Sequence, residues 1–282
     1  MDRTRDKRLE RVRFLGTGTS QGVPVIGCDC EVCQSPSPKN ARLRSSLLVS
    51  SSGANVAIDT GPDFRQQMLE ARVKRLDAVV YTHEHKDHLA GMDDIRPFNY
   101  LQQRTMPLHA SERVQQALKR DFHYAFDPNK HGGVPQVELV EVRDGDPFEI
   151  DGVRWTPLAV MHGQLAIHGY LMDDLAYITD ANHLPEATLE AIKGVDTLVS
   201  NALRPARHYS HFSLPEALEV AKQVGARQTW FTHISHLMGL HMEVNAQLPA
   251  GVTLAYDGLE LERRNDGWYE LAPTLAIRKV RS

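Results

Sequence analysis

Metal-binding side chains are concentrated in one short segment of this sequence, residues 82–88, which reads Thr-His-Glu-His-Lys-Asp-His. Three histidines and an aspartate lie within six residues there, just after an apolar run at 78–80: His83, His85, Asp87 and His88. Neutral imidazole and carboxylate are ligands that suit zinc, iron and manganese. A strand that ends at this point would release all four side chains into one turn. The segment therefore predicts a metal-binding loop at the end of a buried strand.

Three more residues of the same chemical types follow other apolar runs. His162 comes after an expected strand over residues 154–160, Asp180 closes another strand, and His233 closes a strand over residues 228–232. A lone histidine in a loop is usually solvated, and a lone aspartate at a strand end is usually a turn or cap residue. Because all three follow an apolar strand, as the first cluster does, we expect them to complete its metal site.

The chain has only three cysteines, and they lie within six residues of each other: Cys28, Cys30 and Cys33. This closeness indicates a metal site rather than a disulfide framework. Three thiolates and one imidazole make a closed tetrahedral zinc site of the structural kind. We predict such a zinc in a loop over about residues 27–40, with His236 as the fourth ligand and His241 as the alternative. A zinc held by His236 would tie this loop to the strand end that carries His233.

The composition is that of a soluble globular protein, with 41% hydrophobic and 24% charged residues. The 282 residues contain no linker rich in proline, glycine and serine and no repeat, so we expect a single domain over residues 1–282. A net charge of -4 gives no general attraction to nucleic acid. Residues 1–13 lack the apolar centre of a secretory signal, and no apolar run reaches membrane-spanning length. We therefore expect a cytoplasmic protein that contacts no membrane.

Apolar and amphipathic runs predict alternating strands and helices. In the first half, strands are expected over residues 12–16, 46–50, 55–59 and 76–81, and helices over 64–74 and 112–121. In the second half, strands are expected over 168–171, 175–179 and 228–232, and helices over 184–193 and 213–224. Two halves that each deliver ligands from strand ends indicate an α/β protein, an αββα four-layer sandwich of two packed sheets with helices outside. The tail over about residues 265–282 is predicted to be a C-terminal extension.

The spacing His-x-His-x-Asp-His, with the later residues in matching order, resembles the metallo-β-lactamase superfamily. Carried over residue by residue, the resemblance implies two metals with these ligands: His83, His85 and His162 for the first, Asp87, His88 and His233 for the second, and Asp180 as a bridge. Asp59, in the early Ile-Asp-Thr-Gly segment, is implied to orient one ligand from behind. Two divalent cations about 3.5–4 Å apart supply a hydroxide between them at neutral pH, which suits hydrolysis. Zinc, manganese and iron all fit these ligands, so the sequence leaves the pair open.

A narrower resemblance covers residues 12–260. The segment Leu-Gly-Thr-Gly-Thr-Ser-Gln-Gly-Val-Pro at 15–24, the cysteine cluster and Thr-His-Ile-Ser-His at 232–236 are similar to the phosphodiesterase of the carbon–phosphorus lyase pathway and its relatives. This resemblance implies a small phosphate ester as substrate, a ribosyl 1,2-cyclic phosphate in that branch, and a homodimer. It also implies that His211 lies beside the metals, where an imidazolium would give a proton to the leaving oxygen or hold a phosphate oxygen. Asp87 and His211 are thus the predicted catalytic residues.

Other functions remain open on the same ligand set. A tRNA 3′-processing endonuclease is less favoured, because that class typically inserts an RNA-binding arm and only 17 residues separate His162 from Asp180. A lactonase or thioesterase is less favoured, because a histidine at position 211 suits a phosphate substrate better than a lactone or thioester. A non-catalytic protein of the pyrroloquinoline quinone biosynthesis type is disfavoured by the complete ligand set. Four arginines are candidate phosphate contacts: Arg42, Arg44, Arg204 and Arg207.

Overall fold

Two β-sheets pack face to face in the computed structural model, which describes residues 8–130 and 132–271. The strands of the first sheet are β1 (Leu9–Gly16), β2 (Ser46–Ser51), β3 (Asn55–Ile58), β4 (Ala78–Val80), β5 (Met106–Ala110), β6 (Val137–Glu141), β14 (Glu260–Arg264) and β15 (Gly267–Glu270). Those of the second are β7 (Phe148–Ile150), β8 (Val153–His162), β9 (Leu165–Met172), β10 (Leu175–Tyr177), β11 (Thr197–Asn201), β12 (Gln228–Thr232) and β13 (Val252–Leu254). The spatial orders are β15-β14-β1-β2-β3-β4-β5-β6 and β13-β12-β11-β10-β9-β8-β7.

Both sheets are mixed. Strands β3 to β6 run parallel to one another, as do β10 to β13, whereas the hairpin neighbours in each sheet are antiparallel. Parallel strands place their carboxyl ends at one edge of a sheet, and ligand sites in α/β proteins lie outside such an edge. This edge is where the functional residues collect.

Helices cover the outer faces of the two sheets. They are α1 (Phe64–Glu70), α2 (Lys86–Leu89), α3 (Arg96–Gln102), α4 (Glu112–Asp121), α5 (His123–Phe126), α6 (Glu186–Ala191), α7 (Leu214–Val224) and α8 (His241–Asn245), with short 3-10 turns at Met92–Ile95 and His236–Met238. Within the described part of the chain, no helix is long and apolar enough to cross a membrane.

Side chains of a strand alternate between two apolar cores. Leu47 and Val49 of β2 enter the core between the sheets, where they join Trp155 and Trp230 of the second sheet. Leu48 points the other way, into the core between the first sheet and helices α1 to α5. A third core lies between the second sheet and helices α6 to α8. The prediction of an αββα four-layer sandwich is confirmed.

The predicted helix ends differ from the observed ones in two places. The first helix ends at Glu70 rather than 74, because Arg72 adopts a left-handed backbone with φ of 53° and the N–H of Val73 bonds back to the carbonyl of Met68. This is a Schellman-type end, which normally favours glycine. Helix α6 is also shorter than the predicted 184–193. By contrast, α7 begins with the predicted cap, since Ser213 and Glu216 form a capping box.

The predicted C-terminal extension begins as part of the first sheet. Its residues 267–270 form β15, which pairs with β14. Trp268 is fully buried in the core between the sheets, and its indole N–H donates to Asp174 at 2.9 Å. The rest of the extension, residues 272–282, lies outside the described residues, and a single domain over the whole chain stays a prediction.

Candidate functional site

All the predicted metal-site residues lie at the carboxyl ends of strands. Asp59 follows β3, the cluster at 83–88 follows β4, His162 ends β8, Asp180 follows β10, and His233 follows β12. The two sheets therefore deliver predicted ligands that are up to 150 positions apart in sequence, from His83 to His233, to one place. The structure brings all seven predicted ligands together in two adjoining groups.

The first group consists of His83, His85 and His162. The ligand-type atoms of these side chains all lie within 4.8 Å of one another, and Nε2 of His83 is 3.1 Å from Nδ1 of His85. Nitrogen ligands of a tetrahedral zinc, at about 2.0–2.1 Å from the ion, lie about 3.4 Å apart. Nδ1 of His162 donates to the carbonyl of Ser210 at 2.8 Å, which leaves Nε2 of that ring for a metal.

The second group consists of Asp87, His88, Asp180 and His233. Nε2 of His88 lies 3.3 Å from Oδ2 of Asp87 and 3.3 Å from Oδ2 of Asp180. Nε2 of His233 lies 3.0 Å from Oδ1 of Asp180 and 3.7 Å from Oδ2 of Asp87. Asp180 also falls within 4.8 Å of His162 in the first group. Its carboxylate therefore occupies the position between the two groups that a bridging ligand needs.

Two ring nitrogens of the second group make no hydrogen bond within the described part of the chain, although carboxylate oxygens lie near them. Nε2 of His88 and Nε2 of His233 are buried, and neither has a hydrogen-bond partner among the described residues. Buried polar atoms are normally hydrogen-bonded, so such an exception requires an explanation. Two imidazole nitrogens that converge with carboxylate oxygens fit a divalent cation. The residues present thus fit the two implied metals.

The charge balance of the second group indicates the same partner. Burial alone would raise the pKa of Asp180, but the imidazoles of His233 and His88 hold that pKa well below its usual range. Burial alone would likewise lower the pKa of His233, but the carboxylates of Asp180 and Asp87 raise it to about 9. The carboxylates thus draw protons onto the rings in the absence of other cations. Divalent cations would displace these protons and supply the positive charge instead.

Asp59 orients the second group from behind. It is fully buried, and its Oδ2 accepts from Nδ1 of His88 at 2.7 Å and from the hydroxyl of Thr82 at 2.8 Å. Its Oδ1 accepts from the backbone N–H of Thr82 at 2.8 Å. A proton held on Nδ1 of His88 by this carboxylate fixes the tautomer in which Nε2 is free to bind a metal.

Three of these residues have an uncommon backbone conformation. Asp59, Asp180 and His233 have φ of 65°, 58° and 53°, in the left-handed region. For residues other than glycine this conformation costs about 1–2 kcal/mol each and is found preferentially at functional sites. Side chains of a strand point alternately to the two faces of the sheet. The left-handed residue after each strand changes the direction of the backbone, so its side chain points into the shared site instead.

His211 lies against both groups. Its ring contacts those of His162 and His233, with centroid separations of 4.6 and 4.8 Å, and its Nδ1 is 3.8 Å from Oδ1 of Asp180. Burial and the neighbouring His233 lower the pKa of His211 to about 3. The ring is therefore neutral near pH 7, in contrast to the imidazolium expected from the sequence. A neutral ring still donates a hydrogen bond to an oxygen placed beside it.

A pocket of about 380 Å³ opens over the two groups. Beyond the metal-binding groups, its lining includes residues 19–21 and the loop that carries Arg204, His208, Tyr209 and Ser210. Sequence reasoning did not identify Tyr209 or Ser210, because neither a surface tyrosine nor a backbone carbonyl has a signature in a single sequence. The volume is at the lower end of the range for small-molecule sites.

The four candidate phosphate contacts have different environments. Arg42 is buried beneath the site and donates to the hydroxyl of Thr17 and the carbonyl of Ala255, both at 2.7 Å, so it does not face the pocket. Arg44 forms an ion pair with Asp63, and Arg207 is exposed near Glu216. Only one of the four lines the pocket over the metal-binding groups, namely Arg204.

The cysteine cluster surrounds His236. Nδ1 of His236 lies 3.3, 3.3 and 3.5 Å from the sulfur atoms of Cys28, Cys30 and Cys33. A tetrahedral zinc with bonds of about 2.3 Å to sulfur and 2.0–2.1 Å to nitrogen would place these atoms about 3.6 Å apart. The alternative ligand is engaged elsewhere, since Nδ1 of His241 lies 3.1 Å from the guanidinium of Arg42. The geometry favours His236.

The loop next to this cluster also borders the pocket. Ser235, His236 and Leu237 are among the residues that line it. A zinc at the cysteines would thus hold one wall of the pocket in place, because it would join the loop at 28–33 to the segment that follows His233.

Known proteins resemble this chain in sequence and in overall structure. Residues 54–234 match the family model described as a Beta-lactamase superfamily domain. A solved structure of a new diphosphatase from the PhnP family is 42% identical, superposes with a TM-score of 0.85, and is matched over 94% of this chain and 99% of that chain.

Two curated proteins are also similar. An octanoyltransferase from Porphyromonas gingivalis is 38% identical over 252 residues, which are 89% of this chain and 51% of that protein. This chain therefore spans about half the length of that relative. A ribonuclease Z from Mycobacterium sp. (strain KMS) is 28% identical over 230 residues, which are 71% of this chain and 80% of that protein.

Proposed function

Because the chain belongs to the metallo-β-lactamase superfamily, and within it to the PhnP family, and carries that superfamily's metal-dependent hydrolase domain, we propose that the protein is a dinuclear-metal-dependent hydrolase of a small phosphodiester. The observation that carries this proposal is the pair of ligand groups that meet at Asp180 beneath a small pocket. Two divalent cations bound there would lower the pKa of a water and neutralise charge on the substrate.

The residues around the groups suit phosphate better than a carbonyl. His211 lies beside Asp180, where a substrate oxygen would accept from its ring, and Arg204 adds a guanidinium to the pocket wall. A phosphodiester carries a negative charge on oxygen atoms that can accept hydrogen bonds from His211 and Arg204, whereas a lactone or thioester carries no such charge. His211 and Arg204 are proposed to bind the phosphate, and His211 also to hydrogen-bond the leaving oxygen.

The size of the site supports a small substrate over RNA. The interval between His162 and Asp180 is filled mainly by β9 and β10, so no arm is inserted at that point of the described chain. The pocket has a volume of about 380 Å³, and residues 19–21 form part of its lining. A ribonuclease Z activity is therefore the weaker candidate, although such an enzyme is 28% identical. A cytoplasmic location and a homodimer also stay predictions.

A second candidate is hydrolysis of a diphosphate. The solved structure at 42% identity is described as a diphosphatase, and a P–O–P bridge presents the same charged, tetrahedral phosphorus to the metals as a diester. Both reactions need the same metal site, so they differ only in the group that leaves.

A substrate panel tests the proposal. Purified protein, reconstituted with zinc and separately with manganese, would be assayed on a five-membered cyclic phosphate, bis-p-nitrophenyl phosphate, a dinucleoside diphosphate, a lactone, a thioester and a precursor tRNA. We expect metal-dependent cleavage of phosphodiesters, with the Asp180→Asn variant as the inactive control. Cleavage of the diphosphate above all others would favour the second candidate. Cleavage of only the lactone or thioester would overturn the proposal.

A further inference from the structure

A second chamber adjoins the pocket over the metal-binding groups. Its volume is about 640 Å³, and it shares His85, His162, Tyr209 and Ser210 with the first pocket. The two spaces therefore adjoin each other at the side of the first ligand group. A substituent on a phosphorus held over the metal-binding groups would have room to enter the second chamber.

The second chamber has a different chemical character from the first pocket. Among the described residues that line it, none is an arginine, lysine, aspartate or glutamate; beyond the shared residues they are Gly163, Gln164, Leu165 and Asn182. A charged group would find no ionic partner there apart from the metal site itself. The chamber suits an uncharged substituent.

Tyr209 stands where the chambers meet, with its side chain open to them. The residue is 83% exposed, which is high for a large aromatic residue, and it borders a third surface pocket as well as the first two. A single exposed aromatic residue is ordinary on a protein surface. One that lines both chambers beside the metal-binding groups is in a position to contact a substrate.

The backbone at Tyr209 is held by hydrogen bonds, while most of its side chain is exposed. The carbonyl of Tyr209 accepts from Nδ2 of Asn182 at 3.0 Å, and Oδ1 of Asn182 accepts from the N–H of Gly163 at 2.8 Å. The next carbonyl, that of Ser210, accepts from Nδ1 of His162 at 2.8 Å. These bonds hold the backbone of residues 209 and 210 against His162, a predicted metal ligand, so the tyrosine is anchored beside the metal-binding groups.

A row of rings leads from that site to the tyrosine. The ring of His211 lies 5.1 Å from that of His208, which lies 4.6 Å from that of Tyr209. A sugar or a short chain attached to a phosphorus beside His211 would extend along these rings from His211 to Tyr209. Its far end would then reach the open face of Tyr209.

We propose that Tyr209 is a specificity-determining residue that stacks on a planar aromatic group of the substrate. The substrate is then a diester in which the phosphorus lies over the two ligand groups, and the retained ester group carries a nucleobase or aryl ring into the second chamber. Stacking on an aromatic side chain is tolerant of the identity of the base and adds binding energy without reading its edges. This inference rests on the proposed phosphodiesterase function.

Two diesters with the same leaving group test the inference. One is the p-nitrophenyl ester of thymidine 5′-phosphate, and the other is methyl p-nitrophenyl phosphate. Loss of a stacked base costs about tenfold or more in affinity. For Tyr209→Ala we therefore expect kcat/KM to fall by about that factor on the thymidine ester, mainly through KM, and to change by less than about twofold on the methyl ester.

Matched variants separate stacking from other effects. Tyr209→Phe keeps the ring and should behave like wild type on both esters. Tyr100→Ala removes another exposed tyrosine, one in α3 that does not line the chambers, and should also leave both unchanged. Melting temperature and metal content should be the same in all variants.

The outcomes distinguish this inference from the proposed function. If wild type cleaves both esters and Tyr209→Ala affects them equally, or affects neither, the stacking role is refuted and the phosphodiesterase proposal survives. If wild type cleaves neither ester, the phosphodiesterase proposal itself fails, and the stacking role fails with it.

Discussion

The substitution Asp59→Asn isolates the contribution of the buried carboxylate to metal binding. Asparagine has nearly the same volume and tolerates the left-handed backbone that Asp59 adopts. The amide offers one oxygen where the carboxylate offers two, while three donors approach from Thr82 and His88. The amide therefore cannot accept all three of the hydrogen bonds that the carboxylate accepts from Thr82 and His88. A lost hydrogen bond to a charged group costs about 1.5–3 kcal/mol.

That free energy corresponds to an affinity of the second ligand group for its metal that is about 10–100-fold weaker, in line with other carboxylate–histidine–metal arrangements. The affinities would be measured by titrating metal-free protein with zinc in competition with a chromophoric chelator. The control is Asp257→Asn, because Asp257 is a partly buried carboxylate that likewise accepts from Thr17 and the N–H of Leu43, but belongs to neither ligand group. The control variant should have a lower melting temperature than wild type and unchanged zinc affinities at both ligand groups. Unchanged metal binding in Asp59→Asn would refute this reasoning.

Three further substitutions test the remaining parts of the site. Asp180→Ala should abolish most activity while the protein stays folded, because both ligand groups lose their shared carboxylate; a variant that keeps most of its activity would show that Asp180 is not the bridge. Cys30→Ser should release about one zinc per chain and lower the melting temperature, with activity lost only secondarily; an unchanged melting curve and zinc content would remove the cysteines as ligands. His211→Ala should slow hydrolysis of an alkyl cyclic phosphate by about 10²–10³-fold and of a p-nitrophenyl diester far less, because the neutral ring would donate a hydrogen bond to the leaving oxygen as charge develops there; equal losses would favour phosphate binding over stabilisation of the leaving group.

The layers of the fold were predicted from two halves that each deliver ligands from strand ends, together with the resemblance to the superfamily. The runs of strands and helices alone would not have singled out this fold. In the structure, the side chains of β2 alternate between two cores, so both faces of its sheet are covered. Strand order and the final strand β15 were not predictable, because pairing between residues as distant as Arg13 and Glu260 has no local signal. The tail at 265–270 resembled an addition for the same reason.

Short spacing explains why the first ligand cluster could be recognised. His83, His85, Asp87 and His88 need only one turn to converge, whereas the choice between His236 and His241 depended on where two distant loops meet. The structure favours His236 because His241 lies against the buried Arg42. The lowered pKa of His211 could not be predicted from the sequence either, because it results from burial of the ring and from the nearby His233.

The most direct test of the two-metal account is a crystal structure of the metal-reconstituted protein with anomalous scattering and elemental analysis. We expect three ions per chain. Two should lie about 3.5–4 Å apart with Asp180 in contact with both, and one zinc should lie among the three cysteine sulfurs and His236. A single ion in the catalytic pocket, or a pair that does not contact Asp180, would contradict the account.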